Sequence, residues 1–179
     1  MPSVAWASRG WCLASLVLLL ARGAQAGCVD ELAQARLVGA GDFCVLGICL
    51  YDARLYANRA PVDFDAPFAL ELSYRRHFSR KQLVGAGMHE IDRLAGGALT
   101  DEVRAAWQAD MVRAFDDVVP GDSLCGVYLP GQGARFYRNG QPGVAVDDPV
   151  FAKAFFSIWL DPRTRAPALR RKLLGDVAP

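Results

Sequence analysis

The chain has 179 residues, 53% of them hydrophobic, and its 20 basic and 19 acidic side chains give a formal net charge of +1 at pH 7. These values are typical of one globular domain and exclude disordered, collagen-like and highly charged chains. No basic patch interleaved with aromatic residues provides a positive field for a polyanion, so we expect no nucleic-acid partner.

Residues 1–26 have the features of an export signal. Arg9 supplies the positive start, residues 11–21 are apolar apart from Ser15, and Ala24-Gln25-Ala26 is an A-x-A cleavage site. The apolar run is shorter than the roughly 20 residues that a membrane-spanning helix needs. The pattern predicts a signal peptide over residues 1–26 and a periplasmic or secreted protein.

Cys28 offers an alternative to a soluble exported protein. Ala26-Gly27-Cys28 fits the last positions of a bacterial lipoprotein signal, which would anchor the protein through a lipid on Cys28. Membrane contact is expected in that case only. In either case residues 27–179 are predicted to form one domain, because no repeat or linker interrupts them.

Hydrophobic patterns in the first half predict two strands and then two helices. Residues 43–56 are almost continuously apolar, which is typical of a long central strand covered on both faces. Residues 66–74 alternate between apolar and polar side chains, as a half-buried strand does. Ser79 and Thr100 then have the features of N-caps, and an apolar residue recurs at helical spacing after each.

The second half repeats the order of strands followed by helices. A turn at Pro120-Gly121-Asp122 leads into strands predicted over residues 123–129, 134–138 and 144–146. Asp148 and Pro149 start a further helix, and residues 168–174 form the last one. This order predicts an α+β domain in which an antiparallel sheet packs against helices.

The cysteines predict disulfide bonding. Removal of the predicted signal peptide takes away Cys12, one of five cysteines, and leaves an even number, of which at least one pair should be oxidised outside the cytoplasm. On one continuous strand Cys44 and Cys49 would point to opposite faces and lie too far apart to pair. Two full pairings then remain: Cys28 with Cys44 and Cys49 with Cys125, or Cys28 with Cys49 and Cys44 with Cys125.

Several kinds of catalytic site lack the residues that they need. His77 and His89 are the only histidines and form no metal-binding pair, and no Cys-x-x-Cys occurs, so we expect no metal or other cofactor. Gly121-Asp122-Ser123-Leu124 copies a serine-hydrolase motif, but no histidine follows position 89 to act as its base.

Two segments carry a resemblance to a known family. The first is residues 46–56 (LGICLYDARLY), and the second runs from residues 127–137 (VYLPGQGARFY) through 155–162 (FFSIWLDP) to 173–175 (LLG). They are similar to the exported bacterial chalcone isomerase-like proteins, over roughly residues 35–175. This resemblance implies a curved antiparallel sheet, helices packed against it, and a ligand cleft between the two layers. Plant enzymes of this kind close a flavanone ring in the cleft, whereas fatty-acid-binding relatives use it without chemistry.

The resemblance also implies where the cleft residues lie. The family's threonine falls on Cys44, its tyrosine on Phe78 and its asparagine on Gly85, while the position of its arginine holds only Asp42. Ring closure needs a donor on the ketone and stabilisation of the attacking phenolate, and these residues supply neither.

We therefore expect no enzyme activity but a non-catalytic binder of a hydrophobic or fatty-acid-like ligand, with Cys44, Phe78 and Gly85 in the cleft. An isomerase (an intramolecular lyase) with rearranged catalytic groups is the alternative. A cleft filled by its own side chains is a further alternative, since buried apolar positions often serve packing alone.

Overall fold

The computed structural model describes residues 27–176, and the predicted signal peptide over residues 1–26 lies outside them. A short 3-10 helix, Cys28–Glu31, comes first. The strands are β1 Arg36–Val45, β2 Ile48–Ala57, β3 Phe68–Tyr74, β4 Ser123–Leu129, β5 Gly133–Arg138 and β6 Gln141–Val146. The helices are α1 Arg80–Ala95, α2 Asp101–Ala114, α3 Pro149–Leu160 and α4 Pro167–Leu173. Within residues 27–176 no helix is long and apolar enough to cross a bilayer.

The six strands form one antiparallel sheet in chain order, β1-β2-β3-β4-β5-β6. Alternate residues of β3, namely Phe68, Leu70 and Leu72, point into the main core, where they meet the buried side chains of the helices. A smaller apolar cluster on Ala69 and Val127 forms a second core with the 3-10 helix. The predicted α+β domain with an antiparallel sheet on helices is confirmed.

The helix starts follow the predicted capping residues. Ser79 accepts a hydrogen bond from the Gln82 backbone in a complete capping box, and Thr100 accepts one from Val103. Asp148 caps α3 by accepting from two backbone N–H groups, and its other oxygen accepts from Trp107 Nε1 at 2.9 Å. One carboxylate thereby joins the start of α3 to α2.

The predicted long strand over residues 43–56 is wrong, because a hairpin interrupts it. β1 ends at Val45 and β2 starts at Ile48, and the two are joined by a turn in which Leu46 and Gly47 have φ of +50° and +80°. Such two-residue turns usually carry Asn-Gly, whereas Leu-Gly continues the apolar run and hides the turn. The sequence signal for a turn was therefore absent at the position where the chain reverses.

This hairpin also corrects the predicted disulfide pairing. Cys44 and Cys49 are directly opposite each other on β1 and β2, with Cα atoms 3.8 Å apart, and they form a disulfide. Cys28 pairs with Cys125 on β4, so both predicted full pairings are wrong. A lipid on Cys28 needs the sulfur that this bond uses, so the structure is also at odds with the lipoprotein alternative.

Helix α4 lies unusually close to β1 at two glycines. A Cβ on Gly39 would come within 2.1 Å of the Lys172 carbonyl oxygen and 2.4 Å of that of Leu173, and one on Gly41 would meet the Lys172 side chain. Backbone atoms of a helix cannot move aside as a side chain can. Gly39 therefore allows α4 to pack directly against β1, which is an edge strand of the sheet.

We predict opposite stability changes from Gly→Ala at two positions. Gly39→Ala should lower the free energy of unfolding by about 1–3 kcal/mol because its methyl group meets the α4 backbone. Gly85→Ala, on an exposed turn of α1 with open space around its Cβ, should raise it by about 0.5–1 kcal/mol. Urea denaturation measures both, and a Gly39→Ala variant as stable as the wild type would contradict the close packing.

Candidate ligand-binding site

A cavity of about 440 Å³ lies between the sheet and the helices. The strands β3 to β5 form one side of the cavity, with the apolar side chains of Leu70, Leu72, Leu124 and Phe136. The helices α1 and α3 and the end of α2 form the facing side, with Leu83, Met111, Phe155 and Ile158. The volume is in the range of small-molecule sites. The alternative of a cleft filled entirely by side chains is therefore wrong.

Four aromatic rings form one wall of this cavity. Phe43 stacks on Tyr51 with ring centroids 5.3 Å apart, Tyr51 meets the edge of Tyr74 at 6.0 Å, and Tyr74 meets Phe78 at 5.9 Å. The four residues come from β1, β2, β3 and the segment before α1. Because aromatic side chains have few rotatable bonds, this wall is a largely preformed surface.

A β-bulge brings two consecutive residues of β2 into the cavity. Phe43 pairs with Tyr51 while its neighbour Cys44 pairs with Cys49, so Leu50 is an extra residue on β2. Neighbouring residues of a regular strand point to opposite faces, but both Leu50 and Tyr51 line the cavity. The bulge thus adds the apolar side chain of Leu50 to the wall of the cavity.

The lining includes three neutral hydrogen-bond donors, the hydroxyls of Tyr51 and Tyr74 and the indole N–H of Trp159. Trp159 Nε1 donates a hydrogen bond to the Tyr51 hydroxyl at 3.0 Å, which leaves the Tyr51 proton available to a ligand. Burial raises the pKa of Tyr51 to about 12 and raises the pKa of Tyr74 as well. Both phenols therefore stay protonated at neutral pH and can donate to an oxygen acceptor.

The exposed residues of the lining mark the mouth of the cavity. Gln82, Ala86 and His89 lie on the outer side of α1, and Arg165 lies opposite them in the segment between α3 and α4. Arg165 forms an ion pair with Glu90 at 3.2 Å, which bridges the two sides. The cation nearest the mouth therefore already has a carboxylate partner.

The structure does not bring the three sequence-predicted site residues together. Phe78 lines the cavity as expected. Cys44 does not line it and is bonded to Cys49, and Gly85 is exposed with open space around its Cβ, so a side chain there would not enter the cavity. Gly87, which does line it, is the glycine of α1 that faces inward, and a Cβ on it would lie 2.4 Å from Met111 Cε.

Sequence reasoning missed the polar side chains of the cavity. The alternation of β3 places Tyr74 on the same face as Leu70 and Leu72, and helical spacing places Trp159 on the face of Phe155, so both were accessible from the pattern. Tyr51 was not, because it sits in a run that is apolar on both faces and contains the bulge. Ligand contact by Cys44, Phe78 or Gly85 stays a prediction.

Comparison with solved structures identifies the same architecture in a plant protein. The Arabidopsis thaliana fatty-acid binding protein superposes with a TM-score of 0.59 over 80% of this chain and 88% of its own, at 13% sequence identity. At that identity the likeness concerns the fold alone. An uncharacterized protein of Haemophilus influenzae is 30% identical over 111 residues, or 62% of this chain, and the match spans about half (53%) of that relative's length.

A family model matches most of the chain. It is described as chalcone isomerase-like and matches residues 36–175, from the start of β1 to the residue after the α4 cap. That range contains the whole sheet, all four described helices and every residue of the cavity lining. The chain therefore belongs to the chalcone isomerase-like family.

Proposed function

We propose that this protein is an exported, non-catalytic binder of a hydrophobic, fatty-acid-like ligand, held in the cavity between the sheet and the helices. The observation that carries the proposal is a mostly apolar cavity whose lining includes two protonated phenols and an indole. A protein of the same fold from Arabidopsis thaliana is named for fatty-acid binding, which supports the same class of ligand here.

The apolar lining favours a long chain over a short one. Burial of each methylene gains about 0.8 kcal/mol, so a chain of about ten methylenes gains about 8 kcal/mol and one of about four gains about 3 kcal/mol. Association costs at least about 4 kcal/mol in lost freedom of motion. A short acyl chain does not offset that cost by burial alone, whereas a long one does.

The geometry supports binding more than ring closure. The positions aligned with the threonine, tyrosine and asparagine of the plant enzymes hold a disulfide-bonded Cys44, the apolar Phe78 and the exposed Gly85. An attacking phenolate carries negative charge, which a cation beside it would stabilise strongly in a cavity of low dielectric constant. Arg165 lies at the mouth and is paired with Glu90.

Export is part of the proposal and rests on two supports. One is the signal-like pattern of residues 1–26, and the other is the pair of disulfides, which are typical of oxidising compartments.

We predict that, in a Gram-negative host, the periplasmic fraction contains the protein with Gly27 as its first residue, as measured by N-terminal sequencing. A cytoplasmic protein that still begins at Met1 would contradict export.

We predict that Ala86→Trp blocks ligand entry. Ala86 is exposed at the mouth of the cavity, so a large ring there should cover the opening without disturbing the core. Displacement of a dansyl-labelled undecanoic acid by palmitate should report wild-type binding and at least about tenfold weaker binding in the variant, a loss of about 1.4 kcal/mol.

The matched control for this variant is Ala106→Trp. Ala106 is also an exposed helical alanine, on α2, and it does not line the cavity, so its variant should bind like the wild type. Equal ligand affinities in the two variants would show that the ligand does not bind in this cavity. No binding of either fatty acid by the wild type would refute the proposed ligand class.

We predict that the protein does not accelerate chalcone cyclisation. The absorbance of a 2′-hydroxychalcone should decay at the same rate with the protein as in buffer, because Arg165, the cation of the lining, lies at the mouth and is paired with Glu90. Turnover well above the buffer rate that is lost in Tyr51→Phe or Tyr74→Phe would instead establish an isomerase with rearranged catalytic groups.

A further inference from the structure

The tip of the β1–β2 hairpin carries apolar side chains that the described part of the protein does not cover. Leu46 is 98% exposed, and its neighbours Val45 and Ile48 are 46% and 53% exposed. Leu46 also has a left-handed backbone at φ +50°, a conformation that Asn or Gly adopts far more readily than Leu. Folding of residues 27–176 alone therefore does not favour Leu at this position, and we looked for a contact outside these residues.

The tip is held in one shape by the bonds behind it. Val45 pairs with Ile48, and the Cys44–Cys49 disulfide links the next residues of the two strands. A surface that is already ordered loses little conformational entropy when it docks. The hairpin thus presents its three exposed apolar side chains as a preformed wedge.

The same hairpin forms part of the cavity wall. Phe43 and Leu50 lie directly behind the disulfide, one on each strand, and both line the cavity. Only a few residues of β-strand therefore separate the exposed tip from the bound ligand's proposed position. A surface reached by the tip is also near the cavity.

Unpaired positive charge lies at the same end of the sheet. The Arg75 backbone N–H donates to the Leu50 carbonyl at 2.8 Å, so the exposed residues that follow, Arg76 and His77, leave β3 beside the base of the hairpin. Lys81 follows in the first turn of α1. Within residues 27–176 no ion pair holds the side chain of Arg76 or Lys81.

The acidic residues on the hairpin do not cancel this charge. Asp42 pairs with Lys172 at 2.8 Å, and Asp52 pairs with Arg75 through two hydrogen bonds. The Lys172 contact also holds the pKa of Asp42 below its usual value. The hairpin end of the molecule therefore combines a small apolar wedge with unpaired basic side chains.

We propose that this end of the molecule docks on an anionic lipid bilayer, with Leu46, Val45 and Ile48 inserted at the interface and Arg76 and Lys81 against the headgroups. Exposed apolar side chains flanked by basic residues are the combination that binds such surfaces. The proposal concerns a surface outside the cavity and holds whatever the cavity binds.

A second copy of the chain is a less suitable occupant. A stable protein interface buries about 800 Å² on each partner, far more than three side chains at a hairpin tip offer. Two copies meeting tip to tip would also bring their unpaired basic residues together. A bilayer has neither restriction, because it surrounds a narrow wedge and supplies negative charge.

Leu46→Asn tests the proposal without endangering the fold. Asn suits the left-handed turn better than Leu, so the variant should unfold at the same temperature as the wild type or higher. Vesicles of equimolar phosphatidylcholine and phosphatidylglycerol should bind it about tenfold more weakly in a flotation assay, the effect of losing one buried Leu side chain. Val150→Asn, which removes another exposed apolar side chain far from the tip in sequence, should bind vesicles like the wild type.

Charge is tested separately by Arg76→Gln with Lys81→Gln. The double variant should lose most of the preference for vesicles that contain phosphatidylglycerol over pure phosphatidylcholine. All proteins are expressed from the full sequence and purified alike, so that they share one N-terminus. Failure of the wild type to float with anionic vesicles, or equal flotation of Leu46→Asn, would overturn the proposal.

The oligomeric state and fatty-acid binding are measured on the same samples. The proposal would be overturned in favour of a second copy if the wild type is a dimer that does not bind vesicles and the Leu46→Asn variant is a monomer. Unchanged displacement of dansyl-undecanoic acid by palmitate in Leu46→Asn is the expected result, because Leu46 does not line the cavity. Failure of docking is thereby distinguished from failure of the proposed function.

Discussion

The ring of Phe156 on α3 lies directly against the backbone of β4, where a Cβ on Gly126 would come within 2.8 Å of Phe156 Cζ. This contact sets how closely α3 approaches the middle of the sheet. Around it, Phe155 packs edge-on against Phe136 at 5.2 Å, and Phe136 against Phe115 at 5.3 Å. The space between α3 and the middle of the sheet is thus filled by aromatic rings that pack closely against one another.

Phe115, Phe136, Phe155 and Phe156 also line the cavity, so these packed rings form part of its boundary. Nearer the hairpin the facing side chains are those of Leu72, Tyr74, Leu83 and Ile158, and they do not close the gap between the layers. On α1 the small residue Ala86 lies at the mouth, and Gly87 gives room to the side chain of Met111. The cavity is therefore bounded by packed aromatic rings in one part of its lining and by smaller side chains in another.

The parts of the fold that depend on local chemistry were predictable from the sequence. The caps at Ser79, Thr100 and Asp148 follow from hydrogen-bonding groups that act within three residues, and the strand over residues 123–129 follows from an apolar run between clear turns. The β1–β2 hairpin was not, since its turn is made by Leu and Gly inside an apolar run. The error in the disulfide pairing followed from that single missed reversal.

The candidate site was less accessible than the fold because it depends on which face each side chain takes. The bulge at Leu50 changes the face of the sheet to which neighbouring side chains point, and no residue type in the sequence predicts it. On α1, a difference of two positions separates Gly85, which is exposed, from Gly87, which faces Met111. Alignment to a family motif found the right helix, but the inward-facing glycine could be identified only from the packing.

The Cys28–Cys125 bond has a consequence for how the protein is made. Its cysteines are 97 residues apart, and Cys44 and Cys49 lie between them in the chain. A chain that crosses a membrane N-terminus first exposes Cys28 to Cys44 and Cys49 long before its own partner emerges. Under the proposed export, oxidation in order of appearance would join Cys28 to Cys44, and thiol–disulfide exchange would then be needed to reach the pairing in the structure.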